Sequence, residues 1–293
     1  MKIVVTGSKG QLASEIINMI KSGKSEIGKI DPIYKNCDLV CVDVGELDIT
    51  QKKAVEDFLL KEKPDLVINC AGMTNVDACE TNLELAMKVN AIGPKNLSEA
   101  SSKVGAKIVH ISTDYVFSGD GQTPYSEWDI CKPQSIYGKS KLLGEIFTRE
   151  NNHKYFIVRT SWLYGKNGNN FVKTMLNLGK EKSSIKVVDD QRGNPTNAND
   201  LAYHILKIAA SNQYGIYHCT GEGECSWCEF AREIMNLASL NCKVEPCTTD
   251  EFPRPAKRPS YSSLNNLMLK STVGNEMRHW KEALKSFMKN NYK

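Results

Sequence analysis

Short apolar runs recur through the first half of the chain with a helical pattern between each pair, and this alternation constrains the fold more than any other feature. The runs KIVVT, DLVCVD, DLVINCAG, KIVHIST and YFIVRTSWLYG begin at residues 2, 38, 65, 107 and 155. They are rich in β-branched residues and nearly continuous in apolar character, so both faces of each strand expect cover. Between them, QLASEIINMIKS places Leu12, Ile16, Met19 and Ile20 at helical spacing. TQKKAVEDFLLKEK reads as a helix with Thr50 at its N-cap, and NLELAMKVN and NLSEASSKVG as helical segments interrupted near Pro94. The fold class that follows is α/β, a Rossmann-type doubly wound parallel sheet.

Past residue 165 the pattern loosens. Amphipathic helices (NNFVKTMLNLGK, NDLAYHILKIAA, NEMRHWKEALKSFMKNN) alternate with the short strands IKVV, GIYHCT and CKVEPC. We read residues 1–165 as mainly a nucleotide-binding domain and 166–293 as mainly a smaller α/β substrate-binding lobe. The chain is expected to return to the first domain around 185–215.

Composition removes several function classes. The net charge of +4 is spread along the chain, and its densest basic stretch, RPAKRP, is short and broken by proline, so no nucleic-acid footprint is present. No run approaches the roughly 18 apolar residues of a membrane span. MKIVVTGSKG turns to glycine too early for a secretory signal, which points to the cytoplasm. The 10 cysteines then read as reduced thiols. CSWC, residues 225–228, has zinc or redox spacing, but Ser226 and Glu229 form an S-x-x-E capping box that explains it without metal.

Two stretches carry chemistry. Thr6, Gly7, Gly10 and Ala13 form T-G-x-x-G-x-x-A directly after a strand and before a helix. In that context glycines let the backbone approach a pyrophosphate at the positive end of the helix. Asp43, ending the second strand, is the candidate for the adenosine ribose, while Lys9 could meet the extra phosphate of NADPH. The choice between NADH and NADPH stays open. Further on, HISTDYVF puts a hydroxyl at Ser112 or Thr113 and the carboxylate of Asp114 at a strand's carboxyl end, where ligands of such folds bind. In SIYGKSKLLGE, Tyr137 and Lys141 share one helix face. A phenol titrating near 10 is a poor acid catalyst at neutral pH. Lowering it by about 3 units takes roughly 4 kcal/mol, which a lysine ammonium and a positively charged nicotinamide are expected to supply.

These motifs, with VINCAGMTNVDACE, RTSWLYGKNGNNFVKTM, VVDDQRGNPTNANDLA and RPAKRPSYSSLNN, closely resemble the dTDP-4-dehydrorhamnose reductase family of extended short-chain dehydrogenases/reductases. The resemblance spans nearly the whole chain. It implies reduction, by NADPH or NADH, of the 4-keto group of dTDP-6-deoxy-L-lyxo-4-hexulose. Tyr137 would be the proton donor, Lys141 its partner on the cofactor ribose, and Thr113 and Asp114 contacts to the sugar. Trp162 would pack on the substrate and Arg258 meet its diphosphate. Gly10, Gln11 and Leu12 match the pyrophosphate turn, Asp48 and Ile49 the adenine pocket, and Gly72, Met73 and Thr74 the nicotinamide side. Ala13 and AGMT depart from the family pattern. Some members carry Mg²⁺ near a subunit interface, held by glutamates. Glu15 matches one such position, so a homodimer and Mg²⁺ stand as open expectations.

Four alternatives share the fold: a nucleotide-sugar epimerase, a different nucleotide-sugar 4-ketoreductase, a 4,6-dehydratase, and a non-catalytic cofactor-binding subunit like the regulatory subunit of methionine adenosyltransferase. Tyr115 stands after Asp114 where a dehydratase needs a second carboxylate, which argues against elimination.

Overall fold

The protein, a computed structural model describing residues 1–292, is organised around a parallel sheet of six strands. In chain order the strands of the protein include β1 (Lys2–Thr6), β2 (Asp38–Val42), β3 (Leu66–Asn69), β4 (Lys107–Thr113), β5 (Tyr155–Thr160), β6 (Ser184–Val188), β7 (Gly215–His218) and β8 (Lys243–Cys247). Across the central sheet the order is β7-β5-β4-β3-β1-β2. The chain moves outward from β1 to β2, then crosses back to β3 on the other side of β1. Such a reversal opens a crevice at the carboxyl ends of β1 and β3.

Strand periodicity divides the sheet's side chains between two layers. Ile3, Val5, Ile68, Val109 and Val158 face helices α1 (Gln11–Ser22) and, later in the chain, Leu201, Ala202 and Ile205. Val4, Val67 and Ile108 face the opposite way, against Val55 and Leu59 of α2 (Lys52–Glu62) and Leu97 and Ala100 of α3 (Gly93–Lys103). All of these side chains are buried, the valines, leucines and isoleucines each worth about 1.5–3 kcal/mol relative to exposure. Leu201, Ala202 and Ile205 belong to a helix over Ala198–Ala210, and β7 follows it to pair with β5 at the sheet edge. The chain thus re-enters the first layer after residue 197.

Two helix boundaries differ from their expected positions. Gln51, not Thr50, precedes α2, and the Thr50 hydroxyl donates to Asp48 instead of capping the helix. Pro94 does not interrupt the helical run. It occupies the first turn of α3, where a missing N–H costs nothing, and the preceding Lys88–Ile92 is a π-helical turn.

The catalytic candidates ride on α4 (Ile136–Asn151). A second core collects α5 (Phe171–Glu181), α7 (Trp227–Leu237) and α8 (Trp280–Asn291) around the parallel pair β6–β8, while α6 (Ala198–Ala210) packs in the first core. Its interior includes Tyr164, Leu176, Phe230, Ile234, Leu284 and Phe287. At the start of α7 the capping box has both arms: Ser226 accepts from the Glu229 N–H, and Glu229 accepts from the Ser226 N–H. Among the described residues every cysteine is a free thiol.

Candidate active site

The glycine turn follows β1 directly. Gly7 has φ +63°, and a Cβ there would lie 2.8 Å from Ala71 Cα, so the turn presses on the segment leaving β3. Only glycine combines that backbone region with that approach. Gly10 then opens α1 without any side-chain cap, leaving first-turn N–H groups of α1 available to an anion. Leu12 turns its side chain into the core, so it can contribute only its backbone there. Gly7→Ala is expected to lower unfolding stability by about 1–3 kcal/mol and to weaken cofactor binding. Denaturant unfolding and a nucleotide titration check the two effects separately.

Gly7, Gly10, Asp43, Asp48, Ile49, Gly72 and Met73 line one groove of about 490 Å³. Asp43 accepts from the Lys9 N–H at 3.1 Å and the Val44 N–H at 2.8 Å, and the latter bond above all holds its carboxyl below the usual range. Asp48 accepts from the Thr50 N–H and hydroxyl, at 2.9 and 2.8 Å. Its carboxylate therefore shapes the groove wall. Ile49 is buried behind it against Gly93. Thr74 is exposed at the rim. Gln11 bridges to the second half of the chain: its amide donates to Leu163 O at 3.2 Å and accepts from Asn170 Nδ2 at 2.8 Å. These features suit a dinucleotide whose pyrophosphate rests on α1.

At the carboxyl end of β4 the two hydroxyl candidates separate by face. Ser112 turns away and donates to the buried carboxylate of Glu145. Thr113 donates to Asp114 Oδ1 at 2.8 Å and lies against the Tyr137 phenol. Lys141 donates to Ile111 O at 2.5 Å, and its Nζ lies 4.0 Å from where a Cβ on Gly72 would sit. Thr113, Asp114, Tyr137 and Lys141 thus converge beside the end of the groove lined by Gly72 and Met73. The Tyr115 ring meets the Tyr137 ring edge-on, centroids 5.5 Å apart.

The electrostatics correct one expectation. Burial pushes the Tyr137 phenol up rather than down, opposed in part by the Thr113 hydroxyl. Burial also lowers Lys141 to about 8, against the opposing pull of Glu145 and Cys70. In the protein alone burial moves each group toward its neutral form, because both are out of water, and Lys141 keeps its charge only below about pH 8. Asp114 is raised to about 6 by burial, with the hydroxyls of Ser262 and Thr113 favouring its ionised form; its Oδ2 is buried without a partner among the described residues.

Asn90, which the sequence did not reveal, fixes the loop that carries Gly72 and Met73. Its Oδ1 accepts from the Met73 N–H at 2.8 Å, and its Nδ2 donates to Met73 O and to Ser140 Oγ at 3.0 and 3.1 Å. Gly144 lets α4 approach this turn, since a Cβ there would lie 2.2 Å from Asn90 O. An asparagine between apolar neighbours in KVNAI was the available signal. Trp162 has φ +47° and stacks face to face on Trp227, centroids 3.5 Å apart. Its indole also borders Gly193 next to Ser262, which ties it to the Asp114 side of the site. Arg258 donates to Asp77 at 2.9 Å and reaches the Tyr115 phenol. Glu15 accepts from Asn199 at 3.2 Å, and among the described residues no three His, Cys, Asp or Glu side chains come together as a metal site.

The family model for the RmlD substrate binding domain matches residues 1–293. A dTDP-4-dehydrorhamnose reductase from Clostridium acetobutylicum is 52% identical over 99% of each chain, and its crystal structure superposes with a TM-score of 0.94. The dTDP-4-dehydrorhamnose reductase of Bacillus anthracis, solved in complex with NADP, is 42% identical over 99% of each chain with a TM-score of 0.92. The spore coat polysaccharide biosynthesis protein SpsK of Bacillus subtilis is 39% identical over 287 residues, 98% of this chain and 96% of its own length.

Proposed function

The chain belongs to the RmlD substrate-binding-domain family, and from that premise we propose that it reduces the 4-keto group of dTDP-6-deoxy-L-lyxo-4-hexulose with NADPH or NADH, giving dTDP-L-rhamnose. The observation that carries this reading is the convergence of Thr113, Tyr137 and Lys141 at the end of β4, beside the glycine-lined groove.

The cofactor, when bound, supplies the hydride. Gly7, Gly10, Gln11 and the backbone of Leu12 would hold its pyrophosphate, Asp43 a ribose, Asp48 and Ile49 the adenine side, and Gly72, Met73 and Thr74 the nicotinamide side. Lys141, beside Gly72, is placed to hydrogen-bond the second ribose. Thr113 and Asp114 would orient the sugar, with Trp162 against it and Arg258 toward the diphosphate.

Tyr137 delivers the proton. The alkoxide oxygen left when hydride adds to the carbonyl carbon is a far stronger base than a phenolate, so a phenol held protonated by burial remains a competent donor. Its raised pKa keeps the donor loaded throughout the neutral range. The charge of Lys141, by contrast, is lost near pH 8. We therefore expect kcat/KM, which reports the free enzyme, to fall as pH rises through about 8. A rate flat through that range would remove the Lys141 ammonium from the mechanism.

The deciding experiment follows oxidation of NADPH and of NADH with freshly generated dTDP-4-keto-6-deoxy-L-hexulose and identifies the product. Formation of dTDP-L-rhamnose supports the reading. Binding of both cofactors without oxidation of either would replace it with the non-catalytic alternative.

A further inference from the structure

VDACE, in the segment leaving β3, contributes two acidic residues that the reaction above does not use. They lie on a short helix, Val76–Thr81, capped by Asn75, whose side chain accepts from the Ala78 N–H. Glu80 accepts from the Ile136 N–H at 2.8 Å, so this helix secures the first residue of α4. Cys79 is buried in the same apolar cluster as Tyr137. The helix is therefore a fixed platform shared with the proton donor.

Asp77 points from that platform to a different part of the chain. Its Oδ1 accepts from the Ala256 N–H at 3.2 Å and its Oδ2 from Arg258 Nη2 at 2.9 Å. One carboxylate thus grips both the backbone and the guanidinium of a three-residue stretch. That stretch has few other anchors. Residues 253–259 include Pro253, Pro255 and Pro259, which lack a donor N–H, and form no helix or strand. The next attachment is at Gly119, whose carbonyl accepts from Ser260 Oγ and the Tyr261 N–H, both at 2.9 Å.

Arg258 itself is incompletely satisfied. Nη1 is buried with no partner among the described residues, although buried guanidinium nitrogens are ordinarily paired. The side chain lines a cavity of about 200 Å³ with Tyr115, Ser118, Gln134 and Lys257. Tyr115 connects that cavity to Tyr137 through the edge-on ring contact. A guanidinium with one arm held and another buried and unmet is arranged to receive an oxyanion.

We propose that Asp77 is a positioning residue: by clamping residues 256–258 to the helix beside Tyr137, it presets Arg258 to receive the substrate's diphosphate. The inference rests on the reductase reading and on Arg258 meeting that diphosphate. Without Asp77, the proline-rich stretch must be ordered when substrate binds, and affinity falls accordingly. Chemistry, performed by Tyr137, is left intact.

The test is steady-state kinetics of Asp77→Ala, Arg258→Ala and the double variant, with NADPH affinity measured by direct titration. Asp77→Ala is expected to raise KM for the dTDP-keto-sugar about 10- to 100-fold with kcat and NADPH affinity unchanged. Because Asp77 acts through Arg258, the double variant should be no worse than Arg258→Ala alone. Asp77→Asn, which keeps an acceptor for the Ala256 N–H, should fall between wild type and Asp77→Ala, and it replaces the alanine variant if that one fails to fold. Additive losses would overturn the proposal, as would an unchanged KM in Asp77→Ala beside a raised one in Arg258→Ala. An unchanged KM in Arg258→Ala would instead remove the diphosphate contact on which the proposal rests.

Discussion

Tyr137→Phe is expected to bind NADPH as the wild type does and to lose about 10²- to 10⁴-fold in kcat, the range associated with a positioned general acid. The substitution removes one oxygen from a ring that is otherwise packed on apolar neighbours. Tyr137 belongs to a cluster with Cys79, Ala86, Met73 and Tyr115, and phenylalanine fills the same space there. Folding should therefore be preserved, and the loss read in kcat rather than in cofactor affinity. Thr113 keeps its hydrogen bond to Asp114 in the variant, so the polar side of the site keeps its arrangement. What disappears is the proton. Water cannot readily replace it, because the phenol lies in a site with only 9% of Tyr137 exposed. Single-turnover reduction of a stoichiometric keto-sugar, beside a nucleotide titration, separates the two quantities. Equal turnover in the variant would end the assignment of Tyr137 as donor.

The direction of the Tyr137 shift marks where sequence reasoning stops. Tyrosine and lysine at i and i+4 are legible in one helical turn, as are a glycine turn between strand and helix and a Thr-Asp pair at a strand's end. Each is a local pattern whose geometry follows from the backbone period. Burial is not local. Cys79, Met73 and Tyr115 come from two other segments to exclude water from the phenol, and burial outweighs every other influence on it. The same limit hid Asp77 and Arg258, which lie 181 residues apart, and Gln11 and Asn170, 159 apart. Their pairing depends on how the second half of the chain folds back, and no period in the sequence encodes it. Thr50 and Pro94 misled for a smaller reason. Asp48 draws the threonine hydroxyl away from the helix, and Pro94 takes a first-turn position into which the π turn leads without a break.

The largest effect on stability is expected one turn beyond Lys141. Glu145 accepts from Arg159 Nε at 2.9 Å and from Nη2 at 2.7 Å, and each side chain is only 3% exposed. Ser112 completes the carboxylate's shell, so the network ties α4 to β4 and β5 directly behind the site. Glu145→Ala leaves a guanidinium in the interior with His218 at 3.4 Å, Cys131 at 3.3 Å and the Phe117 ring against it, and the Glu127 carboxylate near it but without a hydrogen bond to it. Arginine cannot shed its proton to escape, so the variant should lose about 3–5 kcal/mol of unfolding free energy, read by denaturant titration. Replacing both partners by apolar residues of similar volume, as in Glu145→Leu with Arg159→Met, should recover most of that loss, since the penalty comes from the stranded charge and not from the missing attraction. If the single and double variants are equally destabilised, the ion pair is not the cause. The variant that folds carries a second consequence. Glu145 is the foremost group holding Lys141 in its charged form against burial. Removing that carboxylate should lower the lysine further, so the fall in kcat/KM at alkaline pH begins below about 8. A buried pair that never touches substrate would then set the pH range over which the lysine keeps its proton.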